Sequence, residues 1–364
     1  ATGATCGAFP VDAQFGIGQG FAQYDDDFST QHRTRAWQWL QRTAEEVTQR
    51  AGVWMKQFGN EPFFHWVHYF DPHAPYAPPA EFASRLADPY DGEIAFMDEQ
   101  IGRLLVLMDD EGLLKRTWIL IVGDHGESLG QHGEGTHGVF IYGATISVPF
   151  ILVPPDEYAE LPGPQIRGRR VNIAVGLRDA APTVLNALGF GLESLPSSGT
   201  SLMPHLADPG KLDRVVYCES LIPNFDFGWS ELRGAKSRRW SFVRAPQLEL
   251  YDLEADPAES NNVIGEYSEV AARLEQWCDY FAEKGGDALS EQAPDRDALE
   301  RLRSLGYVAG SSRFAQPEVE KNPKDYVQVL GLIQQARAAF GDQQSDVAAR
   351  LYEEARQVDP ENPA

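Results

Sequence analysis

Cysteine is nearly missing from this 364-residue sequence: Cys6, Cys218 and Cys278 are the only three. They are too few and too scattered for a disulfide framework or a zinc ribbon, and they read as packed thiols. Cationic side chains are scarce too, with 31 Lys and Arg against 54 Asp and Glu and a formal charge of −23. That excludes nucleic acid as a partner, because a phosphate backbone needs a basic footprint. It also makes an anionic substrate dependent on local help, from a metal or a cationic cluster. No apolar run approaches the roughly 20 residues of a membrane span, so no transmembrane segment is expected. An initiator Met and a signal peptide are both lacking, and the chain reads as a piece of a longer protein, so neither absence bears on export. What is left is an ordinary globular composition, 43% hydrophobic and 23% charged, long enough for one large domain and something smaller.

One stretch stands out, from Trp118 to Gly138. It starts as an uninterrupted apolar run, Trp118 to Val122, which reads as a strand buried on both faces. The strand stops at Gly123-Asp124-His125-Gly126, and a glycine-rich loop follows with His132 and His137 in it. Open α/β sheets bind ligands at the carboxyl ends of their strands, so the Asp-His pair is the leading site candidate.

Before it, Gly16-x-Gly18-x-Gly20 lacks both the preceding strand and the spacing of a dinucleotide fingerprint and reads as a loop. Residues 35–57 have helical spacing in Ala36, Leu40, Val47, Ala51 and Trp54. Phe63 to His68 is β-prone and ends in a proline-rich turn carrying Asp71 and His73. His65 and His68 stand at odd spacing, which turns them to opposite sides of the strand. Ile94, Met97, Ile101, Leu104, Leu105 and Met108 mark an amphipathic helix, and Val148–Val153 a further strand. This alternation predicts an α/β fold, a largely parallel sheet flanked by helices. Residues 215–253 hold short strands separated by turns and predict a small antiparallel sheet. The alanine- and glutamine-rich C-terminus puts Ala348, Tyr352, Ala355 and Pro360 at the spacing of the second helix of a tetratricopeptide repeat. The expected domains are 1–200 (α/β), 201–310 (antiparallel sheet and its helix) and 311–364 (linker and partial repeat).

Three chemistries fit the histidine loop. A zinc site from His125, His132 and His137 lacks the i, i+4 register of a helical site and any nearby cysteine. A serine nucleophile elbow at Gly126-Glu-Ser-Leu-Gly130 puts Ser128 beyond the strand-to-helix turn that the elbow requires. A metal-assisted hydrolase, with Asp124 and His125 on one cation that offsets the charge of substrate oxygens, fits best.

The chain then resembles the sulfatase family of the alkaline-phosphatase-like superfamily over roughly residues 1–310. The matching pieces include Gly7–Gly16 with Gly20–Asp26, His68–Tyr76 and Tyr90–Asp98. Beyond these come Gly123–Gly126, Val148–Ile151, Ala181–Leu185, Glu249–Asn262 and Leu302–Tyr307. The resemblance implies that Asp124 and His125 are metal ligands, that His73 contacts the sulfate group, and that His137 stands against the bridging oxygen of the ester. His73 and His137 are thus the implied catalytic and substrate-binding residues. It implies a divalent metal as cofactor, calcium first, with manganese or zinc favoured by the imidazole at position 125. The implied substrate is a small-molecule or glycan sulfate ester, and the tetratricopeptide segment would serve a protein partner.

The family's nucleophile, a Cys or Ser in C/S-x-P-x-R that becomes formylglycine, has no match here, since neither Cys6 nor Cys218 has that context. Nor do the family's other two metal-ligand aspartates; Asp25 to Asp27 match a different loop. The expectation is a piece of a sulfatase whose nucleophile lies upstream and which shows no turnover alone. The alternatives are a phosphonate or phosphodiester hydrolase of the same superfamily, or a degenerate scaffold that binds partners through its repeats.

Overall fold

A computed structural model describes residues 1–28, 41–159, 168–193, 195, 198–207, 214–290 and 320–362, with the side chains of 284–290 excepted. The family piece Leu302–Tyr307 and the first part of the helix expected at 35–57 lie outside the described residues. Contacts divide the chain into two units, Ala1–Trp118 with Pro154–Leu161, and Ile119–Val153 with Pro162–Ala364.

The first unit is built on a parallel three-stranded sheet in the order β2-β1-β3: β1 Thr2–Thr5, β2 Gln23–Asp25 and β3 Phe64–Val67. Helix α1, Ala44–Phe58, starts in a capping box in which Thr43 and Glu46 satisfy each other's backbone N–H. It begins later than the spacing predicted, because Gln41 bridges to Ala8 and Arg42 turns inward. Trp54 of α1 lies over Gly3, where a Cβ would come within 2.3 Å of the indole, so β1 needs glycine there.

Helix α2, Pro89–Asp110, is started by the Asp88 carboxylate accepting from Tyr90 N and by Pro89 in its first turn. Its buried stripe is Phe96, Gln100, Leu104 and Met108: the expected Leu104 and Met108 are buried, but toward the start of the helix the face is rotated by one position, and Ile94 is exposed. The rotation brings Glu93 inside, where its carboxylate accepts from His73 N at 3.1 Å and Ala77 N at 2.6 Å. A helix face chosen by side-chain hydrophobicity alone misses this inward polar service.

In the second unit, β4 Ile119–Val122 pairs with β5 Phe150–Val153 in antiparallel register, which corrects the expectation that they join one parallel sheet. The strand is also only half-buried, with Val122 exposed, rather than covered on both faces. The fold is nonetheless α/β, a parallel sheet with helices plus a small antiparallel sheet.

That small sheet is the meander β6 Val216–Ser220, β7 Leu232–Lys236, β8 Trp240–Arg244 and β9 Glu249–Asp252. Its strands alternate as a two-faced sheet must. Ala235, Phe242 and Leu250 face Ala271, Leu274 and Cys278 of α3, Ser268–Ser290. Leu232, Val243 and Tyr251 face the other way, into a core made by Val139–Tyr142, Trp229 and the C-terminal helices α4, Val327–Gly341, and α5, Ser345–Val358. Those two helices form a hairpin over the expected repeat segment. Its ends are fixed by the buried Asp359 carboxylate, which accepts from Trp229 Nε1 at 2.8 Å and Lys321 Nζ at 2.6 Å.

Candidate active site

The chain leaves β4 at Gly123, whose N–H still donates to Pro149 O, and turns into the histidine loop. Gly126 can only be glycine: its N–H donates to Thr145 O at 2.7 Å, and a Cβ would sit 2.3 Å from Ala144 O. Further along, Ser128 N donates to Thr136 O and Gly130 N to Glu134 O, so the loop closes on itself as a short ladder. Leu129 and His132 adopt left-handed backbone at φ 52° and 54°, a strain that this ladder holds in place.

The ladder gathers the candidates on one side. His125 N donates to Asp124 Oδ1 at 3.0 Å, and His125 Nε2 lies 3.8 Å from Asp124 Oδ2. The His125 ring stacks on His137 with centroids 3.8 Å apart and planes 26° apart. His137 Nδ1 in turn meets both carboxylate oxygens of Glu127 at 3.3 Å. Burial works against a charge on His137, but the Glu127 hydrogen bond and the charges of Glu127, Glu134 and Asp124 outweigh it and raise its pKa.

Asp124 is open, with 84% of its side chain exposed, whereas Glu127 is only 4% exposed. Glu134 is fully buried, accepts from Val139 N and Phe140 N, and is pushed by burial up to about 7.

Ser128 and His132 are engaged elsewhere. Ser128 is buried and donates to Gln131 O at 2.6 Å, so its hydroxyl serves the loop. His132 stacks on Tyr142 at 3.7 Å, in company different from that of His125 and His137. Among the described residues no group of three or more His, Cys, Asp and Glu could hold a metal ion. The donors present are therefore the pair Asp124 and His125.

That pair does fit part of a coordination sphere. Two donors about 2.0–2.6 Å from one ion, at angles between perpendicular and tetrahedral, lie about 3–4 Å apart. The observed 3.8 Å falls in that interval.

His73 belongs to the first unit. Its ring stacks on Phe70 at 4.1 Å, its Nδ1 meets Ala74 O at 2.7 Å, and its backbone N–H is held by Glu93. Burial raises the pKa of both Asp71 and Glu93 beside it. His65 and His68 are structural: one touches Thr5 and Trp54, the other accepts from Gly7 N at 3.2 Å.

All three thiols are unsuited to nucleophilic work, since burial raises Cys6 and Cys218 to about 11 and Cys278 to about 12. A groove of about 400 Å³ between α1 and α2, lined by Thr48, Val53, Gln100 and Leu107, contains none of the candidates.

A family model described as Sulfatase matches residues 7–190, half of the chain. The chain belongs to the sulfatase family. The match takes in His73, Asp124, His125 and His137 alike. Among similar proteins, an arylsulfatase of Clostridium perfringens is 30% identical over 188 residues, 50% of this chain and 36% of its own length. Arylsulfatase K of Xenopus laevis is 28% identical over 196 residues, covering 49% of this chain and 34% of its own. The chain thus spans about a third of the length of the curated relatives it matches. A protein solved in complex with its substrate D-glucosamine-2-N,6-O-disulfate superposes with a TM-score of 0.58 at 17% identity, over 80% of this chain and 81% of its own. At that identity the likeness concerns the fold.

Two residues of the loop escaped the spacing arguments. Glu127 reads as part of a failed serine motif, yet it is the carboxylate that orients His137. Its signal was an acid two residues past His125 with no basic residue nearby in sequence. Glu134 gave no signal, because a glycine-rich loop does not advertise a buried acid.

Proposed function

We propose that the whole protein hydrolyses sulfate esters, and that the loop after β4 supplies its metal-binding and leaving-group side. The observation that carries this reading is the placement of Asp124 and His125 as convergent donors, with the His137 ring laid against His125. A divalent ion held there would polarise the oxygens of a sulfate group and offset their charge in a chain of −23. Calcium suits the carboxylate of Asp124, while manganese or zinc suits the imidazole of His125.

The chain's own residues supply the rest. Glu127 fixes the His137 ring through Nδ1, so Nε2 is the nitrogen that hands a proton to the departing alkoxide. The negative neighbours that raise the His137 pKa favour the protonated ring. His73 is assigned to the sulfate group by resemblance. Attack on sulfur falls to a group other than the three buried thiols, and the formylglycine of the family is the expected one. The substrate class is a small-molecule or glycan sulfate ester. The hairpin of α4 and α5 is read as one tetratricopeptide-type repeat open to a protein partner.

Steady-state rates of the full-length protein on an aryl sulfate and an aryl phosphonate test the assignment. The aryl sulfate should be preferred, and Asp124→Ala should lower its rate by at least about a hundredfold. His137→Ala should cost about a hundred- to ten-thousandfold, most with poor leaving groups. Wild-type rates in Asp124→Ala would show the metal assignment to be wrong.

A further inference from the structure

The hairpin of α4 and α5 touches the histidine loop directly. Val327 fills the space over Gly133, where a Cβ would come within 2.1 Å of its Cγ1. About two turns further along α4, Gln334 Nε2 donates to Thr136 Oγ1 at 3.3 Å, and its Oε1 would lie 3.1 Å from a Cβ on Gly135. Thr136 is also the residue whose carbonyl closes the ladder with Ser128 N, and His137 follows it.

The support behind these contacts is firm. Val329, Leu330 and Ile333 are buried in one core with Val139–Tyr142, the segment into which the loop runs. At the start of the hairpin, Lys324 Nζ donates to Glu249 Oε1 at 3.1 Å and Tyr251 Oη at 3.2 Å, while Tyr142 Oη donates to Glu249 Oε2. At its end stands the Asp359 clamp.

We infer that α4 is a positioning element of the site: Gln334, acting through Thr136, and Val327, packed on Gly133, hold the metal-ligand loop in its working conformation. This rests on the reading of Asp124 and His125 as metal ligands. A loop with two non-glycine residues in left-handed backbone and five glycines between Gly126 and Gly138 has many alternatives open to it. Holding a site within a fraction of an ångström requires outside support of this kind.

The test uses the full-length protein with two readouts, amide hydrogen exchange over 126–138 and affinity for Mn²⁺ by calorimetry. Gln334→Ala and Thr136→Val should each speed exchange at Ser128 and Gly130 and weaken Mn²⁺ binding, each by about three- to tenfold. Thr136→Ser, which keeps the hydroxyl, should restore both. The melting temperature should move little, since neither side chain belongs to the core. Unchanged exchange overturns the inference, and so does faster exchange with wild-type affinity, because the contact then shapes the loop without serving the ion. If the wild-type chain itself fails to bind Mn²⁺, while Asp124→Ala behaves identically, the metal reading fails and the inference falls with it. A variant that misfolds is replaced by Val327→Ala, judged by the same two readouts.

Discussion

His65 should make the protein acid-sensitive well above the range where carboxylates titrate. The ring lies against Trp54 at 4.2 Å and meets Thr5 Oγ1 through Nε2 at 3.0 Å. Its Nδ1 is buried with no hydrogen-bond partner among the described residues. Protonation would put a charge and an unpaired N–H in that space, and burial accordingly lowers its pKa from 6.5 to about 4.

The sign follows directly. Between those two values the unfolded chain holds the proton and the folded chain does not, so stability falls as pH falls. The contribution is complete above pH 6.5 and lost progressively toward pH 4. The full shift corresponds to at most about 3 kcal/mol, and about 2 kcal/mol is lost by pH 5. Partial exposure of the ring makes these upper limits.

Urea denaturation of the wild type and His65→Phe from pH 7.5 to 5 isolates the effect. Phe keeps a ring against Trp54 but cannot titrate, and it costs about 1 kcal/mol at every pH for the stranded Thr5 hydroxyl. The wild type should lose about 2 kcal/mol more than the variant over that interval. Parallel curves would refute the account, as would an NMR titration placing His65 above pH 6.

Gly126→Ala must push the Ala144 carbonyl out of its place, because the new Cβ would start 2.3 Å from that oxygen. A loss of about 2 kcal/mol in stability is expected, with weaker Mn²⁺ binding in calorimetry, and an alanine variant of wild-type stability would contradict the geometry. Asp359→Ala leaves Lys321 Nζ and Trp229 Nε1 without their shared acceptor. It should cost about 2–4 kcal/mol, read from tryptophan fluorescence on denaturation; a loss under about 0.5 kcal/mol would mean that the clamp is decorative.

How much of this was legible in the sequence depended on how local the cause was. Helix α1 could be read from Val47, Ala51 and Trp54, and the meander from four short runs with turns between them, because each pattern is set by near neighbours. The direction of β5 against β4 was not, since an apolar run carries no arrow. A sharper clue was present: the 27 residues from Gly123 to Pro149 hold no helix longer than one turn. A parallel crossover normally needs a helix.

Arg42 was invisible for a different reason. It looks like a surface residue at a helix start, yet it is 1% exposed. Its guanidinium donates to Cys6 O and Asp25 O, to Asp27 O at 2.6 Å and to the Asp25 carboxylate at 2.7 Å. Those acceptors are assembled only once β1 and β2 are side by side. The candidate site shows the same division. Asp124 and His125 stood out as a polar pair at a strand end and His137 through the family resemblance, whereas Glu127 and Gln334 are defined by what they touch.

The contact between Gln334 and Thr136 spans 198 residues of chain. At about 5–20 residues per second of synthesis, roughly 10–40 s pass between the emergence of the loop and that of the helix that steadies it. During that interval the loop is present but not its frame. On the proposed reading of Asp124 and His125, a chain stopped short of residue 334 would carry those two donors on a loop without the Gln334 contact.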